Sequence, residues 1–145
     1  MPPQHSLHTD IVIVGAGIAG LTAARELVRH RREVVVLDKG RRPGGRQATR
    51  RAGGFVFDHG AQDFTVRDDR FAREVEAWRD AGVAAPWHPR LVAFAGAAPN
   101  EAGREQTRWV GTPGMNAVAA HLADGLDVRC GVTVGGIERG AAGWR

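Results

Sequence analysis

Apolar and polar positions near the start of the chain alternate in blocks that predict a strand, a helix and a second strand. Residues 11–14 are four consecutive β-branched side chains, which is the pattern of a strand buried on both faces. Within residues 21–28, apolar side chains recur at helical spacing, with charged side chains on the other face. Residues 34–37 form a second apolar run. The stretch therefore predicts a βαβ unit with two parallel, buried strands.

Weaker patterns follow, and they predict an α/β protein with further strands and two more helices. Since the last pattern places Trp144 of a strand next to the final residue, we expect the chain to be truncated. The predicted elements are a strand at 53–58, with Phe55 and Phe57 on one face; a helix at 69–81, capped by Asp68 or Asp69; strands at 91–95 and 107–110; a helix with Thr112 as N-cap and Pro113 at its first position; and strands at 126–130, 132–137 and from 142 onward.

Composition is that of a globular protein and limits the kinds of site the chain can hold. Of the 145 residues, 43% are hydrophobic and 25% are charged. The longest apolar run has five residues, whereas a transmembrane helix needs about 20. The single cysteine, Cys130, excludes an internal disulfide and a cysteine-based zinc site, and no metal site is predicted. With no visible secretory signal, the expected compartment is the cytoplasm.

The net charge of +4 suggests a nucleic-acid partner. However, Lys39 is the only lysine and the arginines are scattered, so no basic stripe forms. We expect a small-molecule substrate and neither a nucleic acid nor a membrane as partner. The oligomeric state is left open.

A glycine-rich motif lies between the first predicted strand and helix. Residues 15–20 (GAGIAG) match G-x-G-x-x-G, and Asp38 ends the next strand 18 residues later. In this context Gly15 permits a tight turn, Gly17 lets the backbone approach a pyrophosphate, and Gly20 lets helix and strand pack closely. Asp38 would accept hydrogen bonds from the adenosine ribose. The motif predicts a dinucleotide site, and because Asp38 repels a 2′-phosphate, it favours NAD or FAD over NADP.

Three later segments extend this pattern and carry a family resemblance. Residues 10–46, which end in G-G-R, resemble the N-terminus of flavin amine oxidases. Residues 44–50 (GGRQATR), 58–62 (DHGAQ) and 109–115 (WVGTPGM) resemble one branch, renalase and the bacterial renalase-like FAD/NAD(P)-binding oxidoreductases. The chain departs from the family at Gln47, where members usually have Met, and at Asp63, where they usually have an aromatic residue. The resemblance covers nearly the whole chain but only the N-terminal part of the family's length.

The resemblance implies a Rossmann-type FAD-binding domain and assigns roles to individual residues. No residue is assigned as catalytic, and His59 is interpreted as a turn residue. The implied contacts are the backbone of Ile18, Ala19 and Gly20 with the pyrophosphate; Asp38 and Lys39 with the adenosine ribose; Arg46, preceded by Gly45, with phosphate or ribityl groups; Ala61, Gln62 and Asp63 beside the isoalloxazine ring; and the Val134 backbone with adenine.

The resemblance also implies an organisation and an activity. Residues 1–9 are expected to form a flexible tail, 10–61 the FAD-binding βαβ unit and G-G-R segment, 62–112 the start of a substrate-binding lobe, and 113–145 a return to the FAD-binding domain. The implied protein is an FAD-dependent oxidoreductase that transfers hydride from a dihydronicotinamide- or amine-type substrate to flavin and on to oxygen. The alternative is a truncated, non-catalytic FAD/NAD(P)-binding module.

Overall fold

The computed structural model describes residues 8–89, 92–95, 98–101, 107–141 and 143–144, which form an α/β protein. The chain divides into two compact units: Met1–Gln47 with Ala119–Arg145, and Ala48–Val118. The helices are α1 (Ile18–Arg29), α2 (Asp69–Asp80) and α3 (Asn116–Ala123). The strands are β1 (Ile11–Val14), β2 (Val34–Asp38), β3 (Thr49–Ala52), β4 (Phe55–Asp58), β5 (Phe64–Thr65), β6 (Ala84–Trp87), β7 (Val92–Ala95), β8 (Ala98–Glu101), β9 (Arg108–Gly111), β10 (Asp127–Cys130), β11 (Arg139–Gly140) and β12 (Gly143–Trp144).

The first unit is built on a parallel sheet in the order β1-β2-β10. Ile11 pairs with Val34 at one end, and Cys130 pairs with Asp38 at the other. The central strand β2 starts with three buried valines, and α1 buries Leu21 in its first turns. The Arg25 guanidinium on α1 donates to the last carbonyls of α3, at 3.2 and 3.4 Å. The predicted βαβ unit is confirmed.

Strand β1 differs from the prediction because only one of its faces is covered. A β-carbon placed on Gly20 would lie 3.2 Å from the Cγ2 atom of Ile13, so Ile13 faces α1. Val12 and Val14 point to the opposite face and are 48% and 57% exposed. The apolar run predicted burial on both faces, and this was wrong for the described part of the chain, since no described element covers the second face.

The strand predicted over 132–137 does not form. The chain after β10 is irregular up to β11 at Arg139. Glycines interrupt the apolar run at Gly131, where φ is +76°, and again at Gly135 and Gly136. Ile137 is 62% exposed, so the segment lacks the apolar burial that stabilises a strand.

The second unit contains two antiparallel hairpins, β3–β4 and β7–β8, and a three-stranded antiparallel sheet in the order β5-β9-β6. The strand predicted at 53–58 begins at Phe55, because Gly53 and Gly54 form the turn with φ of +59° and +81°. Phe55 and Phe57 lie on one face, as predicted, with their rings 6.2 Å apart. The partner strand β3 was not predicted.

Helix α2 packs its apolar side on an aromatic cluster. Phe71, Val75 and Trp78 form its inner stripe, and the Phe71 and Trp78 rings are 5.7 Å apart. Phe64 of β5 completes the cluster, 6.2 Å from Trp78. The Asp68 carboxylate accepts the backbone N–H groups of residues 70 and 71 at 2.9 and 3.1 Å, which confirms the predicted N-cap.

Helix α3 begins later than predicted, and distant side chains cap it. The Thr112 hydroxyl does not cap the helix, because it donates to the Gly82 carbonyl at 2.7 Å. Instead, the Asp58 carboxylate accepts the Met115 N–H and the Thr49 hydroxyl accepts the Asn116 N–H, each at 3.0 Å. The hairpin β3–β4 therefore satisfies the helix N-terminus that Thr112 was predicted to cap.

We expect Gly20→Ala to destabilise the protein by about 1–3 kcal/mol. The added β-carbon would lie 2.1 Å from the Gly15 carbonyl oxygen, which is backbone and moves only if the turn moves. Gly17→Ala is the matched control, because a β-carbon there meets nothing within 4 Å. Urea unfolding of both variants measures the difference, and equal stability would contradict the packing seen at Gly20.

Asp68→Ala should lower the melting temperature at neutral pH by removing the α2 cap. The pKa of Asp68 is lowered from its ordinary value of 3.8, first by the Phe71 N–H and then by the Arg70 side chain. A carboxylate with a lowered folded pKa stabilises the protein above its unfolded pKa, and this stabilisation is lost as the pH falls through the folded value. The melting difference should therefore disappear in acid. Asp69→Ala, which removes the same charge but no cap bond, should show a smaller effect throughout.

Candidate dinucleotide site

The turn between β1 and α1 has the geometry that the glycine motif predicts. Gly15 has a φ of +108°, a value that favours glycine, and its N–H donates to the Leu37 carbonyl of β2 at 2.7 Å. Gly20 lies so close to the Gly15 carbonyl that any side chain would collide with it. The turn therefore brings the start of α1 directly against the carboxyl end of the parallel sheet.

The N-terminus of α1 is open and lacks a side-chain cap. Gly17 is the N-cap residue and has no side chain with which to cap the helix, no acidic residue lies in the first turn, and no described side chain outside the helix bonds to it. The backbone N–H groups of Ile18, Ala19 and Gly20 have no partner within the helix, since an α-helix leaves its first N–H groups unpaired. A β-carbon placed on Gly17 would meet no atom of the described residues within 4 Å, its chain neighbours and the helix backbone aside. This arrangement fits a pyrophosphate, whose charge the helix N-terminus also favours.

Asp38 stands at the end of β2, beside this opening. One carboxylate oxygen accepts the Ala16 N–H and the other accepts the Gly40 N–H, both at 2.6 Å. These two bonds fix the orientation of the carboxylate, and each oxygen keeps further lone pairs for ribose hydroxyls. Lys39 follows it and is exposed.

The G-G-R segment is held against the glycine turn. The Gly44 N–H donates to the Ala16 carbonyl at 2.9 Å. Gly45 then starts a 3₁₀ turn over Gly45–Gln47, and a β-carbon on it would lie 3.2 Å from the Cα atom of Gly17. Arg46 is exposed within that turn. Two segments that are distant in sequence therefore form one surface around the open N-terminus of α1.

The chain passes beside Asp38 again after β10. The Val132 N–H donates to the Asp38 carbonyl at 2.9 Å, and the Gly131 N–H donates to the Gly40 carbonyl at 2.8 Å. Val134 follows two residues later, half-buried and in irregular backbone rather than in the predicted strand.

The remaining predicted site residues, Ala61, Gln62 and Asp63, lie in the second unit. Gln62 is exposed, and Ala61 is half-buried. The Asp63 carboxylate accepts a hydrogen bond from the Arg108 guanidinium on β9 at 2.7 Å, and their side chains are 19% and 35% exposed. At the position where the family usually has an aromatic residue, this chain thus has a partly buried ion pair.

Sequence reasoning missed the roles of three side chains in this unit. Thr49 and Asp58 belong to the quoted motifs, and their side chains bond to each other at 2.5 Å while they cap α3. Thr49 also packs against Gly114, since a β-carbon on Gly114 would lie 2.9 Å from the Thr49 side chain. Arg108 is the third, as the partner of Asp63. Only tertiary contacts reveal these roles. The presence of Thr49 and Asp58 in the quoted motifs indicated that both residues matter, but not that they cap a helix.

Neither metal nor membrane features occur in the part of the chain that the structure describes. Within it, no group of three or more His, Cys, Asp and Glu side chains could hold a metal ion. No helix among these residues is long and apolar enough to cross a membrane.

Comparison with known proteins agrees with this geometry. Residues 13–76 match the model of the NAD(P)-binding Rossmann-like domain. AofH of Mycobacterium tuberculosis, which is named as a flavin-containing monoamine oxidase, is 53% identical over 51 residues, which are 35% of this chain and 11% of AofH. Phytoene dehydrogenase of Streptomyces griseus is 41% identical over 73 residues, which are 48% of this chain and 14% of the relative.

Solved structures show the same likeness. Wild-type putrescine oxidase bound to putrescine superimposes with a TM-score of 0.51 and 26% identity, over 67% of this chain and 22% of that chain. The chain thus spans between 11% and 22% of the length of AofH, phytoene dehydrogenase and putrescine oxidase. The predicted α/β, Rossmann-type fold is confirmed, and the relatives are named as oxidases and dehydrogenases. The renalase-like branch stays a prediction.

Cys130 provides a chemical probe of the Asp38 carboxylate. Burial, and then the charge of Asp38, raise the pKa of the Cys130 thiol above its ordinary value. Because the thiolate is the reactive form, iodoacetamide at pH 8 should alkylate Cys130 more slowly than free cysteine. Asp38→Asn should accelerate the reaction. The control Asp127→Asn removes the same charge at the other end of β10, and equal rates in the two variants would contradict the placement of Asp38.

Proposed function

We propose that this chain binds FAD and provides the dinucleotide-binding part of an FAD-dependent oxidoreductase. The open, uncapped N-terminus of α1 at Gly17 carries the proposal, because it offers unpaired N–H groups and space for a pyrophosphate. A dinucleotide site combined with a flavin-containing relative indicates FAD, since FMN has no pyrophosphate. The docked G-G-R turn supports this, because it extends the site beyond the glycine turn.

The first unit would hold the adenosine and pyrophosphate groups. We assign the pyrophosphate to the glycine turn and the backbone of Ile18, Ala19 and Gly20, and the adenosine ribose to Asp38 and Lys39. Support comes from the fixed orientation of the Asp38 carboxylate beside the turn. We assign phosphate or ribityl groups to Arg46, and adenine to the backbone of Val134, which follows the segment bonded to Asp38.

The second unit would contribute to the flavin environment through Ala61, Gln62 and Asp63, as the resemblance implies. The sequence motif supports this assignment, and the Asp63–Arg108 ion pair ties the segment after the motif to β9. In this proposal, residues 62–112 begin a substrate-binding lobe, and residues 113–145 return to the FAD-binding domain.

The bound FAD would supply a hydride acceptor, and the protein would supply position and electrostatics. The names of AofH and putrescine oxidase support an amine-type substrate. The renalase-like motifs support a dihydronicotinamide-type substrate. Oxygen as the final acceptor, a cytoplasmic location and the lack of a nucleic-acid partner stay predictions.

FAD binding without turnover is the second candidate function. The observation that favours it is that the described site offers a dinucleotide the α1 N-terminus and the Asp38 carboxylate, while no described residue is assigned a catalytic role. Anaerobic addition of amines or dihydronicotinamides to FAD-loaded protein separates the two candidates. Bleaching of the flavin absorbance supports the oxidoreductase, and unchanged absorbance with every substrate supports the binding module.

The first test of FAD binding is the visible absorption spectrum of the purified chain, with any ligand released by denaturation and identified. We expect a flavin spectrum, or its appearance after incubation with FAD, and release of FAD itself. A colourless protein that takes up no FAD would contradict the proposal, and release of NAD would replace FAD as the ligand.

Arg46→Ala should weaken FAD binding about 10- to 100-fold, the effect of losing a hydrogen bond to a charged group. Arg29→Ala is the matched control, because it removes the same charge at the far end of α1. Gly17→Ala should also weaken binding, since its β-carbon would occupy the open space while leaving the fold unchanged. Fluorescence titration with FAD measures all three, and an affinity of Arg46→Ala equal to that of the control would remove the assigned role.

A further inference from the structure

The Asp38 carboxylate connects three loops of the first unit. Its two oxygens accept the N–H groups of Ala16, in the glycine turn, and of Gly40, in the loop after β2, both at 2.6 Å. The Gly40 carbonyl in turn accepts the N–H of Gly131, in the loop after β10, at 2.8 Å. One side chain therefore joins the loops at the carboxyl ends of β1 and β2 directly, and reaches the loop after β10 through Gly40.

Ala16 is bonded through both of its backbone polar groups. Its N–H donates to Asp38, and its carbonyl accepts the Gly44 N–H of the G-G-R segment at 2.9 Å. Gly17 follows directly and is the N-cap residue of α1. The position of the first N–H groups of α1 and the docking of the G-G-R segment therefore both depend on how Asp38 holds Ala16.

The charge of Asp38 has two opposite effects on an anion at the α1 N-terminus. By charge alone, a carboxylate beside this terminus opposes the binding of a diphosphate, because like charges repel. However, hydrogen bonds from N–H groups to a charged acceptor are among the stronger ones in proteins. A turn that such bonds fix before the ligand arrives has less ordering cost on binding. The two effects have opposite signs, so an affinity measurement can separate them.

We propose that Asp38 is a positioning residue that holds the glycine turn in its diphosphate-binding conformation, in addition to its proposed contact with the ribose. The ligand-binding part of this inference rests on the proposed function. Its consequence is that Asp38 favours a diphosphate even when the ribose offers it no hydroxyl, although its own charge opposes that binding.

The test replaces Asp38 with asparagine, which has nearly the same shape but presents one acceptor and one donor group. Because Ala16 and Gly40 are both donors, Asp38→Asn can keep only one of the two bonds. The probe is 2′,3′-dideoxy-ADP, which lacks both ribose hydroxyls, and calorimetric titration at fixed ionic strength measures its affinity. We expect Asp38→Asn to bind it about three- to tenfold more weakly than the wild type. Equal or tighter binding overturns the inference, since a residue that only contacts the ribose would leave nothing but its repulsion.

Two further variants separate charge from position. Gly40→Ala keeps the carboxylate, but its β-carbon would lie 2.8 Å from the Asp38 Oδ1 atom and would displace it, so this variant should also weaken binding of the probe. Asp10→Asn is the control, because it removes the same charge at the opposite end of the sheet, where the Asp10 carboxylate accepts only the Glu33 N–H. Its affinity should equal that of the wild type. Wild-type affinity of Gly40→Ala would contradict the positioning role.

Amide hydrogen exchange tests the positioning in the ligand-free protein. In Asp38→Asn, exchange should become about tenfold faster at Gly44, which is bonded to Ala16 and not to Asp38. Val36, in the middle of the central strand β2, should keep its wild-type rate. Unchanged exchange at Gly44 overturns the inference. Acceleration by the same factor at Gly44 and Val36 also overturns it, because Asp38 would then only stabilise the fold as a whole.

The outcomes separate this inference from the proposed function. If the wild type binds FAD and Asp38→Asn binds the dideoxy probe as tightly as the wild type does, the inference fails alone. If the wild type binds neither FAD nor the probe, the proposed function fails, and the exchange rate at Gly44 still decides whether Asp38 positions the turn.

Discussion

The close approach of Gly20 to the Gly15 carbonyl oxygen determines how the first unit is built. A β-carbon at position 20 would lie 2.1 Å from that oxygen, so any other residue would push α1 away from the sheet. With glycine there, α1 starts directly against the carboxyl ends of β1 and β2, and Leu21 becomes fully buried. The same approach aims the unpaired N–H groups of the helix at the edge of the sheet. The packing of α1 on the sheet and the position of its N-terminal N–H groups therefore both depend on the contact between Gly20 and the Gly15 carbonyl.

The parts of the fold that the sequence predicted are those whose signals are local. The βαβ unit follows from the period of its apolar residues, and the Asp68 cap follows from a carboxylate placed just before a helical stripe. The errors arose where a distant partner decides the structure. Thr112 lost its predicted capping role because Thr49 and Asp58 reach the α3 N-terminus from another hairpin. Similarly, no strand among the described residues pairs with residues 132–137, and Ile137 stays exposed.

The candidate site shows the same division. The glycine motif and Asp38 were placed correctly relative to one another, because strand order and helix direction in a βαβ unit leave little freedom. The partners of individual side chains were not predictable. The bond from Arg108 to Asp63 joins residues 45 positions apart, and the bond from Ala16 to the Asp38 carboxylate joins residues 22 positions apart. Residue type identifies the chemistry that a site can perform, whereas tertiary contacts determine which atoms remain available for it.

The docking of the G-G-R turn on the glycine turn has a consequence for how the two segments can change. Gly45 lies against the backbone of Gly17, and Gly44 is bonded to Ala16, so a shift in either turn displaces the other. Residues in direct contact do not contribute independently to free energy. A substitution at Gly45 should therefore disturb the glycine turn as well as its own turn, because its β-carbon would press on the Cα atom of Gly17. The two motifs, although separated by a helix and a strand, would then evolve as a single unit.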